Sequence, residues 1–97
     1  MAQPRQMTLQ LTTTGGTLFG VDALLNGYHV IPSDESDPDG WHGTIPATSI
    51  PLDVGATGVA GSTYTIDYQV TSNGATQKQS IPRTIPQGGI DAFHGTV

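Results

Sequence analysis

The sequence predicts a small all-β protein, and three observations support this class. Thr occurs 14 times, Gly 13 times and Pro 7 times among 97 residues, a balance that favours strands and tight turns over helix interiors. Apolar and polar residues alternate in several short segments, which is the period of a strand with one buried face. Two Asn-Gly pairs separate such segments, and this pair is the strongest short hairpin signal.

The first half of the chain contains three predicted strands. Residues 7–11 alternate, and Gly15-Gly16 supplies a turn before a second strand over 17–25. Asn26-Gly27 then predicts a type I′ turn into a returning strand over 28–31.

A polar loop interrupts the pattern after Pro32. Residues 33–40 hold four acids and no apolar side chain, so they are predicted to lie outside the core. Apolar residues return in 41–45, and alternation resumes in 50–54 after a stretch broken by Pro46.

The second half predicts a flexible connection, a hairpin and a tail. Glycines punctuate 55–61, whereas 64–70 alternates clearly and is predicted to be a strand. Asn73-Gly74 turns the chain into 76–81, which is polar on both faces until its end and is therefore predicted at a sheet edge.

Together these segments predict one small antiparallel β-sandwich, Ig-like or related, with six or seven short strands. The domain is expected over 1–86. Residues 87–97 begin with Gln-Gly-Gly and are expected to form a Gly-hinged, extended C-terminal arm.

Composition excludes several function classes. Three basic against eight acidic residues give a formal charge of −5, which argues against nucleic acid as a partner. The chain has no Cys, so disulfides and thiolate metal sites are excluded. No segment reaches the roughly 20 apolar residues of a membrane-spanning helix, and no membrane partner is expected.

The acidic loop offers a partial calcium motif. Glu35, Asp37 and Asp39 occupy the first, third and fifth places of the EF-hand loop pattern, but Pro46 stands where the twelfth place needs an acid. A tight turn over 37–40, with Asp side chains bonded to nearby amides, is the favoured interpretation.

Other chemistry is weakly supported. His29, His42 and His94 show no metal-ligand spacing, and 55–61 lacks the Lys of a phosphate-binding loop. Trp41 is expected to cap the core or anchor a partner. We therefore expect no enzymatic activity and no cofactor.

Several motifs of the chain resemble those of a known group of domains. They are the strand pair 21–31, the turn Asp37-Pro38-Asp39-Gly40, the extended run 41–50, Tyr64-Thr65-Ile66 and Ser80-Ile81-Pro82. In this order they resemble small Ig-like, carboxypeptidase-regulatory-like β-sandwich domains of bacteriophage virion appendages, such as tail fibre and decoration proteins. The resemblance implies location in a virion and partners among capsid or tail proteins.

The expected function is a non-enzymatic virion structural protein, either an appendage or adaptor component or a capsid decoration (cement) protein. It would act through multivalent contacts, as a homo-oligomer. A carbohydrate- or calcium-dependent surface-binding module is the alternative. The residues expected at the interface are the edge segment, the arm and one aromatic side chain: Thr76, Gln77, Lys78, Gln79, Ser80, Ile90, Phe93, Val97 and Trp41.

Overall fold

The computed structural model describes residues 3–31 and 40–97, and every regular element in these ranges is a β-strand. This confirms the predicted all-β class. The strands are β1 (Arg5–Gly15), β2 (Leu18–Leu25), β3 (Tyr28–Ile31), β4 (Gly40–Ile45), β5 (Pro51–Gly58), β6 (Thr63–Ser72), β7 (Ala75–Thr84) and β8 (Ile90–Thr96). The described residues form eight strands, one more than the expected six or seven, because the C-terminal tail pairs with β5 as β8.

Two four-stranded antiparallel sheets form a sandwich. Sheet 1 has the order β4-β1-β6-β7, and sheet 2 has the order β3-β2-β5-β8. In an Ig domain the second and third strands lie in different sheets, whereas here β2 and β3 are neighbours in sheet 2. The strand order is therefore that of a related sandwich.

Both predicted Asn-Gly hairpins are present. Asn26 and Gly27 have φ values of 52° and 84° between β2 and β3, and Asn73 and Gly74 have values of 53° and 80° between β6 and β7. Positive φ at both central residues is the geometry of a type I′ turn, whose twist matches that of the flanking strands.

The core lies between the sheets and is built from the alternating positions noted in the sequence. Tyr64 and Ile66 of β6 are fully buried, while Tyr68 is half-buried against them. The buried apolar side chains are Met7, Leu9, Leu11, Ala23, Leu25, Ile31, Ile45, Ile50, Leu52, Val54, Ala56, Tyr64, Ile66 and Ile85.

The flexible connection expected over 55–61 is largely a strand. β5 continues to Gly58, and Ala56 inside it is 3% exposed. Gly55 has no Cβ, and the Asp22 side chain of β2 occupies the space where that atom would lie. Only residues 59–62 connect β5 to β6.

The C-terminal tail also differs from the expectation. Residues 90–96 pair in register with residues 51–57 of β5 and form the edge of sheet 2. Val97 and Ile50 exchange two backbone hydrogen bonds, each 2.9 Å long, just beyond that pairing. The tail is thus part of the sandwich and does not extend away from it as an arm.

Candidate functional site

The predicted interface residues lie on two sides of the molecule. Residues 75–80 of β7 are all exposed at one edge of sheet 1. β8 forms an edge of sheet 2 and is joined to β7 by side-chain hydrogen bonds. Trp41 belongs to β4 at the opposite edge of sheet 1. The structure therefore brings the β7 and β8 residues to one side and leaves Trp41 apart.

The three predicted tail residues differ in exposure. Ile90 is 67% exposed, whereas Phe93 and Val97 are half-buried against the core. Phe93 also lies beneath the Arg83 guanidinium, whose central carbon is 5.7 Å from the ring centroid. Of the three, Ile90 alone is mostly exposed.

Trp41 serves the core more than the surface. Its ring packs against the core cluster and over Gly43, where an added Cβ would come within 2.5 Å of the indole. Trp41 is half-buried, which is consistent with core capping, while its role as a partner anchor stays a prediction.

The outer edge of β7 carries unpaired backbone groups. The two-residue turn makes Ser72 and Ala75 a hydrogen-bonded pair, and the antiparallel ladder alternates from there. The N–H and C=O groups of Thr76, Lys78 and Ser80 consequently point away from β6. Pro82 occupies the next outward position, where its missing N–H costs no bond to β6.

No described residue pairs with this outward row. The backbone hydrogen bonds made outside the strand ladders involve other segments, and every side chain from Ala75 to Ser80 is exposed. Lys78 is the one charged side chain in that stretch. The edge is therefore open to a further strand, with modest protection from Lys78 and Pro82.

The neighbouring edge of β8 is partly covered. Its outward positions are Ile90, Ala92, His94 and Thr96, because Val97 bonds inward to β5. Arg83 Nη2 donates a 3.2 Å hydrogen bond to the Ala92 carbonyl. This side chain blocks one acceptor in the middle of the β8 edge.

A buried polar cluster joins the two sheets behind these edges. Asp91 of β8 is 8% exposed and accepts a 2.7 Å hydrogen bond from the Tyr64 hydroxyl. Arg83 of β7 donates to both carboxylate oxygens, from Nε and Nη2, at 2.9 Å each. The bidentate pair fixes both partners in one geometry.

This environment shifts the pKa of all three groups, and the hydrogen bonds to Asp91 raise the pKa of the Arg83 guanidinium. Hydrogen bonds from Arg83, with a further one from Tyr64, hold the pKa of Asp91 below its usual value despite burial. Burial, reinforced by the Asp91 carboxylate, raises the pKa of the Tyr64 phenol. Each buried polar atom of the cluster has a hydrogen-bond partner, and the cluster links β6 and β7 of sheet 1 to β8 of sheet 2.

The histidines lie on separate strands. His94 Nδ1 is 2.6 Å from Asp53 Oδ1, and His29 Nε2 is 3.8 Å from Asp22 Oδ2. His42 lies in β4 of the other sheet. Within 3–31 and 40–97, no three metal-ligating side chains converge. The calcium candidates Glu35, Asp37 and Asp39 lie outside the described residues.

Sequence reasoning identified the β7 edge but missed the Tyr64–Arg83–Asp91 cluster. The available signal was a lone Arg and a lone Asp in otherwise uncharged segments, 81–86 and 87–93. Charged residues in such settings are seldom buried unless they are paired.

The described part of the chain has no helix long and apolar enough to cross a membrane. No family model, curated protein or solved structure matches the sequence or the fold. Its function is therefore inferred from the surfaces described above.

Proposed function

We propose that this protein is a non-enzymatic assembly module of a bacteriophage virion, an appendage, adaptor or capsid decoration component. It binds a neighbouring protein by adding that protein's strand to β7. One observation carries the proposal: the outward N–H and C=O groups of Thr76, Lys78 and Ser80 are unpaired along a regular, exposed edge. The virion setting comes from the resemblance of the sequence motifs.

Strand addition suits this edge for a chemical reason. Backbone hydrogen bonds supply the affinity in such complexes, while side chains at alternate positions supply specificity. The outer face of β7 presents Thr76, Lys78 and Ser80 beside Thr71, Gln69 and Asp67 of β6. A partner strand with neutral polar side chains, and an acid opposite Lys78, would match this surface.

Many copies would make weak individual contacts sufficient. Each added strand contributes only a few backbone hydrogen bonds, each worth about 0.5–1.5 kcal/mol net. Multivalent presentation on a symmetric particle raises the total strength without new contacts. β8 is already used within its own sheet, so the partner strand comes from another protein or another copy.

Two substitutions of Ser80 distinguish the contribution of the β7 backbone to partner binding from that of the side chain. Ser80→Pro removes an outward N–H and leaves the β6 ladder intact, as Pro82 already does two residues later. Ser80→Ala removes the hydroxyl and keeps the N–H. We expect particles purified from the source culture to contain the protein in many copies, with Ser80→Ala incorporated normally and Ser80→Pro reduced at least tenfold.

Two results would overturn the proposal. The first is absence of the chain from purified particles by mass spectrometry. The second is equal incorporation of Ser80→Pro and Ser80→Ala, with circular dichroism confirming that both variants are folded.

A further inference from the structure

Two opposite charges beside the β7 edge have no partner within the described chain. Lys78 of β7 lies opposite Gln69, and Asp67 of β6 lies opposite Ser80, on the face of sheet 1 turned away from the core. Neither charged side chain makes an ion pair or a side-chain hydrogen bond there. Every other described acid has a His or Arg partner, and both arginines are hydrogen-bonded. Lys78 and Asp67 are therefore the charges that a bound protein can neutralise.

The half of β7 that carries Lys78 is accessible on both of its faces. Every side chain from Ala75 to Ser80 is exposed, including those at the positions that alternate toward sheet 2. The side-chain hydrogen bonds between β7 and β8, within the described residues, all come from Arg83, which lies beyond this half. Sheet 2 therefore leaves this half of β7 uncovered.

Charge limits how β7 can pair with β7 of a second copy. In an antiparallel pair, the outward residues of one strand must lie opposite the outward residues of the other. A two-fold axis at Lys78 would place the two lysines directly opposite each other, which is destabilising. An axis at Gln79 instead places Lys78 of each copy opposite Ser80 of the other. The register centred on Gln79 therefore avoids the repulsion.

The same register supplies the missing charge partners. On the outer face of the second copy, Asp67 is the next residue inward from Ser80. Lys78 can extend its long stem over the small Ser80 side chain and bring its ammonium group to this carboxylate. The two-fold axis repeats the contact, so both charges of both copies are paired. An axis at Gln77 would place only uncharged residues across from Lys78.

The backbone groups match in this register as well. The N–H groups of Lys78 and Ser80 would donate to the Ser80 and Lys78 carbonyls of the other copy, and the Thr76 N–H to its Pro82 carbonyl. Pro82 lies at the end of the paired segment, where its missing N–H removes one terminal bond. On the opposite face, the axis brings the two Gln79 side chains together, and their amides can each donate and accept.

We propose that the β7 edge binds the β7 edge of a second copy, antiparallel and centred on Gln79, with Lys78 of each copy paired to Asp67 of the other. The inference rests on the strand addition proposed above and names the partner strand. The two copies of sheet 1 then form one continuous sheet. Because each copy contributes a single short edge, we expect a reversible dimer with a Kd in about the micromolar to millimolar range.

Sedimentation equilibrium of the full chain tests this dimer. Lys78→Glu and Asp67→Lys should each weaken dimerisation at least about tenfold, because each places two like-charge pairs at the contact. Asp22→Lys makes the same charge change as Asp67→Lys on the other sheet and should leave dimerisation unchanged. A wild-type chain that stays monomeric up to about 1 mM would contradict the proposal. So would an Asp22→Lys variant weakened as much as Asp67→Lys.

A mixture of two variants tests whether the partner is a second copy. Lys78→Glu and Asp67→Lys should form a heterodimer together, because every charge then meets an opposite charge. Labelling one variant with ¹⁵N gives the heterodimer its own mass in native mass spectrometry. A mixture that associates no better than either variant alone overturns the two-fold contact.

A neutral substitution tests the register. Lys78→Gln should weaken the dimer because the contact with Asp67 is lost. Tighter dimerisation of this variant would contradict the register centred on Gln79 and indicate an axis at Lys78, where the substitution removes a repulsion. Circular dichroism of each variant should match the wild type, since neither Lys78 nor Asp67 has a side-chain partner in the described structure.

The Ser80 variants distinguish failure of this inference from failure of the proposed function. Ser80→Pro should abolish dimerisation and Ser80→Ala should retain it. A monomeric wild type whose Ser80→Pro variant is still excluded from particles would overturn the second copy as partner and leave strand addition by a different protein standing. A dimer that Ser80→Pro does not weaken would place the contact away from β7 and overturn the inference.

Discussion

Asp91 is the residue on which the link between the two sheets depends. It receives three hydrogen bonds, one from Tyr64 of sheet 1 and two from Arg83 at the edge of sheet 1, while belonging itself to sheet 2. A buried carboxylate is costly unless its oxygens are bonded. Here both oxygens are bonded, and no described buried side-chain polar atom lacks a partner.

Substitution of Asp91 should lower the unfolding free energy more than substitution of Tyr64. Tyr64→Phe removes one hydrogen bond and leaves the Arg83 pair intact, so we expect a loss of about 1 kcal/mol in unfolding free energy. Asp91→Asn removes the charge that both partners bind. The Arg83 side chain is 32% exposed and can be partly hydrated, so we expect a loss of about 2 kcal/mol.

Urea denaturation at pH 7, with equal slopes for all three proteins, measures both losses. A Tyr64→Phe loss equal to or larger than that of Asp91→Asn would show that the phenol, and not the carboxylate, organises the cluster.

The same carboxylate should make stability depend on acid pH. The pKa of Asp91 is lower in the folded chain than in the unfolded chain, where it is about 3.9. Its contribution is therefore present above about pH 4 and lost as the pH falls through the folded-state pKa. We expect the unfolding free energy of Asp91→Asn to fall less steeply than that of the wild type below pH 4. Parallel curves would refute this assignment.

At the scale of elements, β8 completes sheet 2. It covers one edge of β5, supplies Asp91 and Phe93, and is followed by Val97, whose carbonyl accepts a 3.1 Å hydrogen bond from Arg5. A strand with these contacts belongs to the folding unit, whereas an arm would be dispensable.

Deletion of residues 88–97 should therefore unfold the protein. The change exposes the edge of β5, leaves Arg83 without its carboxylate and uncovers Tyr64. We expect loss of the dispersed amide signals in a ¹H–¹⁵N NMR spectrum. A folded, monomeric truncated chain would restore the interpretation of the tail as an arm.

An element could be predicted from the sequence where neighbouring residues determine its conformation, and could not be predicted where distant residues do. Asn26-Gly27 and Asn73-Gly74 select their turns by their own backbone preferences, so both hairpins and the edge position of 76–81 were predictable. Gly55 was interpreted as a loop residue because the Asp22 side chain that fills its place lies about 30 residues away. The pairing of β8 with β5 is equally distant in sequence and left no local signal.

For the site, the polar pattern of 76–81 was sufficient to predict an edge. The exposure of Phe19, Val59 and Ile90 could not be predicted, because each is an apolar residue whose burial depends on strands that are distant in the sequence.

At the scale of the whole molecule, the proposed β7 contact extends sheet 1 sideways. It therefore adds neighbours across the 47 Å long axis of the sandwich and not along it. The symmetry of the contact decides whether the assembly closes. This arrangement suits a component present in many copies.

The position of β1 has a consequence for how the chain acquires its structure during synthesis. β1 lies between β4 and β6, so one of its backbone edges stays unpaired until β6 is made about 50 residues later, several seconds at roughly 5–20 residues per second. β2 waits similarly for β5, and sheet 2 is complete only after β8 has been made. The sandwich therefore folds only after all eight strands have been made, at the slow rates typical of non-local β topologies.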